Sequence, residues 1–289
     1  MKNVIITGSS NGFGYLSAKL FADNGYKVYA TMRNPDGSNS EKKQELENYS
    51  SNVKVVAMDV ANDDSVTKAM DSIIKEEGTI DVLINNAGIM HLGIAEAFSV
   101  AQADDLMNIN YYGIIRTSQA VLPTMRKAGK GLIINTTSAY GRVPAPFAAT
   151  YSASKAAVEA YTQSSKYELA PTGVESILVE PGPFATNLGN SFVPEARAEI
   201  VAENPELQKI LGSMVEGFGE LMQSEDIPQP SIVAEVYLKL AEMSQGSRPT
   251  RTTVGLPFGA DKVNELTQSI QDESLNNYKL EYLLETKIK

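Results

Sequence analysis

The chain has 289 residues, of which 43% are hydrophobic, and this is enough to form the core of one large α/β domain. Its net charge is −10 and it has no run of basic residues, so we expect neither nucleic acid nor a membrane surface as a partner. It has no cysteine and a single histidine, His91, which argues against disulfides, thiolate catalysis and the usual metal sites. Met1 leads directly into a predicted strand, and no stretch approaches the roughly 18 apolar residues of a membrane span. We therefore expect a cytoplasmic protein without a signal peptide.

The first residues predict a strand, a glycine-rich turn and a helix. Asn3 to Thr7 is a β-branched, apolar run typical of a buried parallel strand, and it leads into Gly8, Gly12 and Gly14. A helical pattern follows from Phe13 to Asn24. This order places backbone N–H groups and the positive end of a helix dipole where a pyrophosphate can bind. The spacing G-x-x-x-G-x-G differs from the general G-x-G-x-x-G dinucleotide fingerprint, so only the structural context matches it.

The residue after the second predicted strand, Lys27 to Met32, indicates which dinucleotide binds. An acidic residue at this place holds the ribose hydroxyls of NAD, whereas an arginine suits the 2′-phosphate of NADP. Arg33 stands there, and its guanidinium can bind a phosphate. We expect NADP(H) to be preferred, with NAD(H) possible. The alternative is that Arg33 is a solvated loop charge before Asn34 and Pro35.

Strands and helices continue to alternate along the chain. The further predicted strands are Val53 to Met58, Asp81 to Asn85, Gly131 to Thr137 and Val174 to Glu180, and the further helices are Glu41 to Asn48, Asp63 to Glu77, Ala103 to Lys127 and Ala153 to Leu169. The alternation requires right-handed crossovers. It predicts an α/β fold, a single-domain, Rossmann-type, doubly wound parallel sheet with helices on both faces. Since such sheets bind ligands beyond the carboxyl ends of their strands, the polar residues after these strands should converge on one site.

Tyr151 and Lys155 carry the chemistry of this predicted site. They lie four residues apart, and on a helix residues with this spacing share one face. A phenol has an unperturbed pKa of about 10, and an adjacent ammonium favours its anion and lowers that pKa. Such a tyrosine can transfer a proton, which points to hydride transfer on a nicotinamide cofactor.

Six motifs in the same order resemble one known family. They are TGSSNGFG from Thr7, NNAG from Asn85, NYYG from Asn110, Ser138, YSASK from Tyr151 and PGPFAT from Pro181. Together they resemble the short-chain dehydrogenase/reductase family over about residues 1 to 187. The segment YATMRNP and the long tail are similar to its steroid- and retinol-dehydrogenase-like branch. The resemblance implies an NADP(H)-dependent oxidoreductase that interconverts a hydrophobic ketone or aldehyde and its alcohol.

The resemblance also implies a role for individual residues. Tyr151 would donate the proton, and Ser138 would hydrogen-bond the same substrate oxygen. Lys155 would hold the nicotinamide ribose and lower the pKa of Tyr151, while Asn110 would position a water that links Lys155 to solvent. The implied cofactor-binding residues are Gly8, Ser10, Asn11, Gly12, Phe13, Gly14, Arg33, Asp59, Val60, Asn86, Ala87, Gly88, Tyr151, Lys155, Pro181, Gly182 and Thr186.

Several of these positions have a simpler structural interpretation. Asp59, implied as an adenine contact, could instead cap the helix that begins near Asp63. Thr186, implied as the carboxamide contact, could be a helix cap, and NNAG could be a strand-ending turn. His91 is interpreted as pocket wall and not as a catalyst.

Within the single domain, residues 1–186 would form the dinucleotide-binding and catalytic core. Residues 187–230 would form a substrate lid, and residues 231–289 would form C-terminal helices, a strand and a tail. Apolar lid residues such as Phe192, Met214, Phe218 and Met222 are spaced for one or two amphipathic helices. These helices could pack on the domain or, with Tyr140, Val143, Phe147 and Phe184, could cover a small hydrophobic carbonyl or alcohol substrate.

Other functions and the assembly complete these expectations. A lyase or epimerase on the same scaffold is one alternative, and a non-catalytic NADP(H)-binding redox sensor is another. Leu275, Tyr278, Tyr282 and Leu283 suggest a helix that covers the domain or a neighbouring subunit. The resemblance implies a homodimer or homotetramer.

Overall fold

The computed structural model describes residues 1–186, 192–224 and 227–283. These residues form one parallel sheet with the strand order β3-β2-β1-β4-β5-β6-β7. The strands are β1 (Asn3–Thr7), β2 (Lys27–Met32), β3 (Val53–Ala57), β4 (Val82–Asn85), β5 (Gly131–Thr136), β6 (Val174–Pro181) and β7 (Arg251–Val254). The order reverses between β1 and β4, which is where doubly wound sheets open a ligand crevice.

Helices precede or connect the strands. They are α1 (Gly12–Asp23), α2 (Ser40–Tyr49), α3 (Asp63–Glu77), α4 (Val100–Met107), α5 (Gly113–Ala128), α6 (Ala149–Leu169), α7 (Ala198–Glu203), α8 (Pro205–Gln223), α9 (Ser231–Glu242) and α10 (Ala260–Asn277). The doubly wound parallel fold predicted from the sequence is confirmed. All six predicted strands are present, with ends that differ by one residue at most.

Both faces of the sheet are buried, because successive side chains of a strand point to opposite sides. In β1, Val4 and Ile6 belong to one core with Phe21 of α1 and Tyr237 of α9. Ile5 points the other way and belongs to a second core that includes residues of α3 and α5. This double burial explains why β1 is a continuous apolar run without alternation.

The predicted helix from Ala103 to Lys127 is wrong in one respect, because a π-helical turn interrupts it. The turn spans Asn108–Tyr112 and separates α4 from α5. Such turns are rare and are often found at functional sites. This one contains Asn110, which is fully buried.

The segment after β6 packs more loosely than the sheet. Residues 187–191 and 225–226 of the predicted lid, and 284–289 of the tail, lie outside the described residues. Of the one or two amphipathic lid helices predicted from the sequence, the structure has two, α7 and α8, neither of which has a buried residue. In α10, Leu275 is buried, whereas Tyr278 and Tyr282 beyond its end are exposed. None of the described helices is both long and apolar enough to cross a bilayer.

Candidate active site

The glycine-rich turn connects the end of β1 to the start of α1 in a tight geometry. Gly8 has φ +70°, and a Cβ at this position would lie 2.8 Å from Cα of Ala87. Gly12 also has a positive φ, +54°, which side chains disfavour. The first turn of α1 contains no acidic residue, and Asn11 makes no capping hydrogen bond among the described residues. The turn therefore leaves N–H groups and the positive helix end available to an anionic ligand.

Hydrogen bonds join the glycine-rich turn to the NNAG segment, Asn85 to Gly88, at the end of β4. The side chain of Asn86 donates hydrogen bonds to the carbonyl oxygens of Thr7 at 2.9 Å and Gly8 at 3.2 Å. In return, the Thr7 hydroxyl accepts from the backbone N–H groups of Asn86 and Ala87, each at 2.9 Å. Asn86 is thus more than a strand-ending turn residue, because it joins the two loops that border the switch point of the sheet.

A cleft of about 800 Å³ opens at the carboxyl ends of the strands, as the fold predicts. Of the predicted site residues, those that line it are Gly8, Ser10, Asn11, Gly12, Phe13, Arg33, Asp59, Val60, Asn86, Ala87, Gly88, Ser138, Tyr151, Lys155, Pro181, Gly182 and Thr186. Gly14 and Asn110 do not line it. They lie directly behind it, where Gly14 packs against the Gly8 carbonyl and Asn110 against Gly88.

Tyr151 and Lys155 lie in the first turns of α6 and reach the same part of this cleft. Both side chains are buried, and the Lys155 Nζ lies 5.8 Å from the centre of the Tyr151 ring. The same Nζ donates a hydrogen bond of 3.0 Å to the Thr136 carbonyl at the end of β5. The Ser138 side chain hydrogen-bonds the Tyr151 hydroxyl and also accepts from the Tyr140 N–H at 3.2 Å. A hydroxyl, a phenol and an amine therefore meet in one cleft.

The expectation that Lys155 lowers the pKa of Tyr151 is wrong for this geometry. Burial is the largest influence and raises the pKa of Tyr151 to about 12, while the hydrogen bond with Ser138 acts in the opposite direction. Burial also lowers the pKa of Lys155 to about 8, because desolvation disfavours the ammonium. The reason for the difference is that both groups are buried, and desolvation disfavours the charged form of each.

Asn110 uses its side chain to hold the loop that follows β4. Its Oδ1 accepts from the Ile89 N–H at 2.9 Å, and its Nδ2 donates to the Ile89 carbonyl at 2.9 Å. The same Nδ2 donates to the Ser154 hydroxyl at 3.1 Å. A Cβ at Gly88 would lie 3.2 Å from Oδ1 of Asn110 and 3.6 Å from Nζ of Lys155. Asn110 and Lys155 are thus near neighbours, separated by a glycine that leaves space between them.

Arg33 lies at the exposed edge of the cleft, directly after β2. Asn39 donates a hydrogen bond of 2.6 Å to its carbonyl, and Ser38 and Asn39 line the same edge. Sequence reasoning missed these two residues, which stand five and six positions after Arg33 in a loop without a periodic pattern. Asp59 does not cap α3, because Asn62 accepts from the Ser65 N–H and takes that role. Instead, Asp59 accepts from the Ala61 N–H at 3.0 Å and borders the cleft.

The outer part of the cleft is apolar. The residues of the predicted lid that line it are Phe192, Met214, Phe218 and Met222, together with Val215 and Gly219, which sequence reasoning did not single out. Tyr140 and Phe184 also line it, whereas Val143 and Phe147 do not. Met90, Leu92, Ile109 and Phe258 were missed, since single apolar residues in loops carry no periodic signal.

Two further residues concern the alternatives left open by the sequence. His91 is buried, its ring stacks on Phe98 at 4.8 Å, and burial lowers its pKa. It does not line the cleft, so its interpretation as pocket wall is wrong: the ring packs against Phe98 instead. Thr186 does line the cleft. The residues that follow it, 187–191, lie outside the described residues, so its interpretation as a helix cap stays a prediction.

Comparison with known proteins agrees with the motifs and the fold. A family model described as short chain dehydrogenase matches residues 2–197. The chain therefore belongs to the short-chain dehydrogenase family, a class of oxidoreductases.

Individual relatives match this chain over different shares of its length. A 3-ketodihydrosphingosine reductase from Bacteroides thetaiotaomicron is 40% identical over 186 residues, which make up 63% of this chain and 64% of that protein. The match therefore covers less than two thirds of that relative. A 3-ketoacyl-(acyl-carrier-protein) reductase from Brucella melitensis, solved with NADH, has a TM-score of 0.72 at 25% identity over 88% of this chain and 96% of that one. A serine dehydrogenase in its closed form with NADP+ also has a TM-score of 0.72 at 25% identity, over 87% and 94%.

Proposed function

We propose that the protein is an NADP(H)-dependent oxidoreductase that interconverts a hydrophobic ketone or aldehyde and its alcohol. The observation that carries this proposal is the meeting of Tyr151, Lys155 and Ser138 in one cleft with the glycine-rich turn. The membership of the short-chain dehydrogenase family supports it. The solved relatives described above hold NADH or NADP+ on the same fold.

The residues present fit a nicotinamide dinucleotide. The glycine-rich turn and the start of α1 would hold the pyrophosphate, and Arg33 would bind a 2′-phosphate on the adenosine ribose. Asp59 and Val60 would contact the adenine, Lys155 the nicotinamide ribose, and Thr186 the carboxamide. When bound, the reduced nicotinamide supplies the hydride.

The protein's own groups would handle the proton and the developing charge. As a carbonyl is reduced, its oxygen gains negative charge, which donors placed in advance stabilise. Tyr151 would donate its proton to this oxygen, and the Ser138 hydroxyl would hydrogen-bond the same atom. Asn110 would position a water that returns a proton to Lys155 from solvent. In alcohol oxidation each of these transfers reverses.

A high pKa of Tyr151 suits the reductive direction. With a pKa of about 12, the tyrosine remains protonated at neutral pH and is ready to act as an acid. The pKa of about 8 of Lys155 leaves it mostly protonated at pH 7, so its positive charge is available to an anionic neighbour. The two values together favour carbonyl reduction near neutrality and oxidation at higher pH.

The apolar mouth of the cleft supports a hydrophobic substrate. Met214, Val215 and Phe218 of α8 lie on one helical face and line the cleft with Phe192. Binding a substrate here would remove their apolar surface from water, which is favourable by about 25 cal/mol per Å². The relative from Bacteroides thetaiotaomicron is named for reduction of a keto group, which agrees with the direction proposed.

Three broader expectations accompany this proposal. We propose a homodimer or homotetramer, a cytoplasmic location and membership of the steroid- and retinol-dehydrogenase-like branch. These rest on the family resemblance, on the composition and on the segment YATMRNP, respectively.

The proposal is tested with purified protein, NADPH or NADH and a panel of bulky and small carbonyls. Loss of nicotinamide absorbance with the bulky carbonyls is the expected result for the wild type. Tyr151→Phe should reduce turnover by about 100-fold or more while leaving nucleotide binding nearly unchanged, because it removes only the proton donor. Nucleotide binding without turnover of any carbonyl or alcohol would support the redox-sensor alternative, and turnover without net oxidation or reduction would support a lyase or epimerase.

A further inference from the structure

A cluster of buried charges lies behind Lys155 and is shared by α6, β6 and β7. Glu159 follows Lys155 by four residues on α6 and is only 3% exposed. The Nε of Arg251 lies 3.0 Å from Oε2 of Glu159 and 3.4 Å from Oε1 of Glu180, which is fully buried. Two carboxylates thus share one guanidinium in the interior.

The hydrogen bonds of the cluster leave it incompletely neutralised. Oε2 of Glu180 accepts from Nδ2 of Asn264 on α10 at 2.6 Å. Oε1 of Glu159 has no hydrogen-bond partner among the described residues. A buried carboxylate without full pairing is costly, and apolar side chains of similar volume would often serve the fold equally well. We therefore expect the cluster to have a role other than stabilising the fold.

The negative charge of this cluster can stabilise the ammonium form of Lys155. It is a buried cation that donates a hydrogen bond to a neutral carbonyl, that of Thr136, and no ion pair of Lys155 is present in the described part of the chain. Residues four apart on a helix lie on the same face, about 6 Å apart at their Cβ atoms. Glu159 is thus one helical turn behind the ammonium.

The pKa values agree with this geometry. Burial lowers the pKa of Lys155, and the charge of Glu159 acts in the opposite direction. Burial and the repulsion from Glu159 raise the pKa of Glu180 above its usual value, so the two carboxylates compete for Arg251. The other charged groups facing the cluster are Arg142 from the turn after β5, Lys166 on α6 and Asp272 on α10.

We propose that Glu159 is a positioning residue for the candidate catalytic pair, and that its ionised carboxylate keeps Lys155 in the ammonium form. Arg251 holds the Glu159 carboxylate in place through their ion pair. Glu180 competes for the same guanidinium and so adjusts the strength of that ion pair. The proposal rests on the proposed function, since it gives Lys155 a task for which its charge matters.

The test is the pH profile of kcat/KM for NADPH, which reports groups of the free enzyme. In Glu159→Gln the limb on which Lys155 loses its proton should move to lower pH by about one unit, a tenfold change in its ionisation constant. The affinity for NADPH, measured by fluorescence titration without any carbonyl, should lose its high-pH limb at the same lower pH. Glu159→Asp keeps the charge and should restore most of the wild-type profile.

The matched control is Glu175→Gln, at the opposite end of β6. Glu175 is also a largely covered carboxylate, with 10% of its side chain exposed, and it is paired with an arginine, Arg248, but it does not line the cleft. Its substitution should lower stability without moving the pH profile. If Glu159→Gln does not fold, Glu159→Met takes its place, because Glu180 remains as a partner for Arg251.

The outcomes separate this proposal from the proposed function. Unshifted profiles in Glu159→Gln, with a fully active wild type, would overturn the role of Glu159 alone. Failure of both Glu159→Gln and Glu159→Met to fold would assign Glu159 to the fold and would overturn it as well. An inactive wild type that binds NADPH would contradict the oxidoreductase proposal, while the binding titration would still report on Lys155.

Discussion

Gly14 of α1 lies directly against the carbonyl oxygen of Gly8 in the turn before it. A Cβ on Gly14 would stand 2.5 Å from that oxygen and 2.6 Å from Nδ2 of Asn86. These distances are too short for any side chain, so Gly14 sets how closely the start of α1 approaches the ends of β1 and β4. The anion site formed by this turn depends on that approach.

We expect Gly14→Ala to lower both stability and nucleotide affinity. The added methyl group must push α1 away from the turn, and overpacking of this kind costs about 1–3 kcal/mol. Urea unfolding and NADPH fluorescence titration measure the two effects. Gly212→Ala is the control, since a Cβ there meets nothing within 4 Å on α8, and it should raise stability by about 0.5–1 kcal/mol. Equal behaviour of the two variants would contradict the packing role of Gly14.

We expect Arg33→Ala to raise the KM for NADPH far more than the KM for NADH. The guanidinium at the edge of the cleft is placed to bind a 2′-phosphate, and such charge-assisted contacts contribute about 1.5–3 kcal/mol, or roughly 10- to 100-fold. Steady-state kinetics with each cofactor measure the ratio. Arg126→Ala, an exposed arginine at the end of α5, serves as the control and should change neither value. Equal losses for both cofactors would assign Arg33 to the loop alone.

We expect Lys155→Met to be more stable than the wild type at pH 7 and inactive. The pKa of Lys155 is about 8 in the folded protein against its ordinary value of 10.5, so folding favours the neutral amine. Below pH 8 the wild type must keep a buried ammonium, and the free energy of unfolding recovers only as the pH rises from about 8 to 10.5. Methionine carries no such charge, and the gain at pH 7 should be about 1–3 kcal/mol.

Urea unfolding at pH 7 and pH 9.5 measures this difference. The advantage of Lys155→Met should shrink at the higher pH, where the wild-type amine has lost its proton. An advantage of Lys155→Met that is the same at both pH values would contradict the depressed pKa of Lys155.

We expect Phe218→Ala to raise the KM for bulky carbonyls by about tenfold and to leave small carbonyls nearly unaffected. The ring of Phe218 lines the apolar mouth, and contacts of this size in a pocket contribute about 1–3 kcal/mol. The ratio of kcat/KM values across the panel measures the effect. Leu266→Ala removes an apolar side chain that is 73% exposed on α10 and far from the cleft, so it should change nothing. A uniform loss across the panel would indicate that Phe218 supports the fold and not the substrate.

The sheet was predictable because its signal is local and periodic. Buried parallel strands such as Asn3–Thr7 are continuous apolar runs, and the glycine turn after this strand is fixed by its own sequence. The residues after the strands could be placed in one cleft because parallel strands end on one edge of the sheet. Ser138 was found in this way, whereas Tyr151 and Lys155 were found from their spacing on a helix and from the family resemblance, and the structure brings all three together.

What could not be predicted depends on contacts between distant residues. The π-helical turn at Asn108–Tyr112 accompanies a side-chain clamp on the Ile89 backbone, and no pattern within the helix reveals it. The pKa of Tyr151 depends on how much water the fold removes from it, which the spacing to Lys155 does not report. The cluster of Glu159, Glu180 and Arg251 joins three elements that are far apart in the sequence.

The absence of buried residues in α8 has a consequence for protein engineering. Because this helix contributes wall surface to the cleft and no residue to either core of the sheet, its sequence is constrained mainly by what it touches in the mouth. Residues 205–223 could therefore be exchanged as a cassette between relatives, altering the compounds accepted while the nucleotide half folds as before. The substrate selectivity of this protein would then be adjustable without altering the residues on which its folding depends.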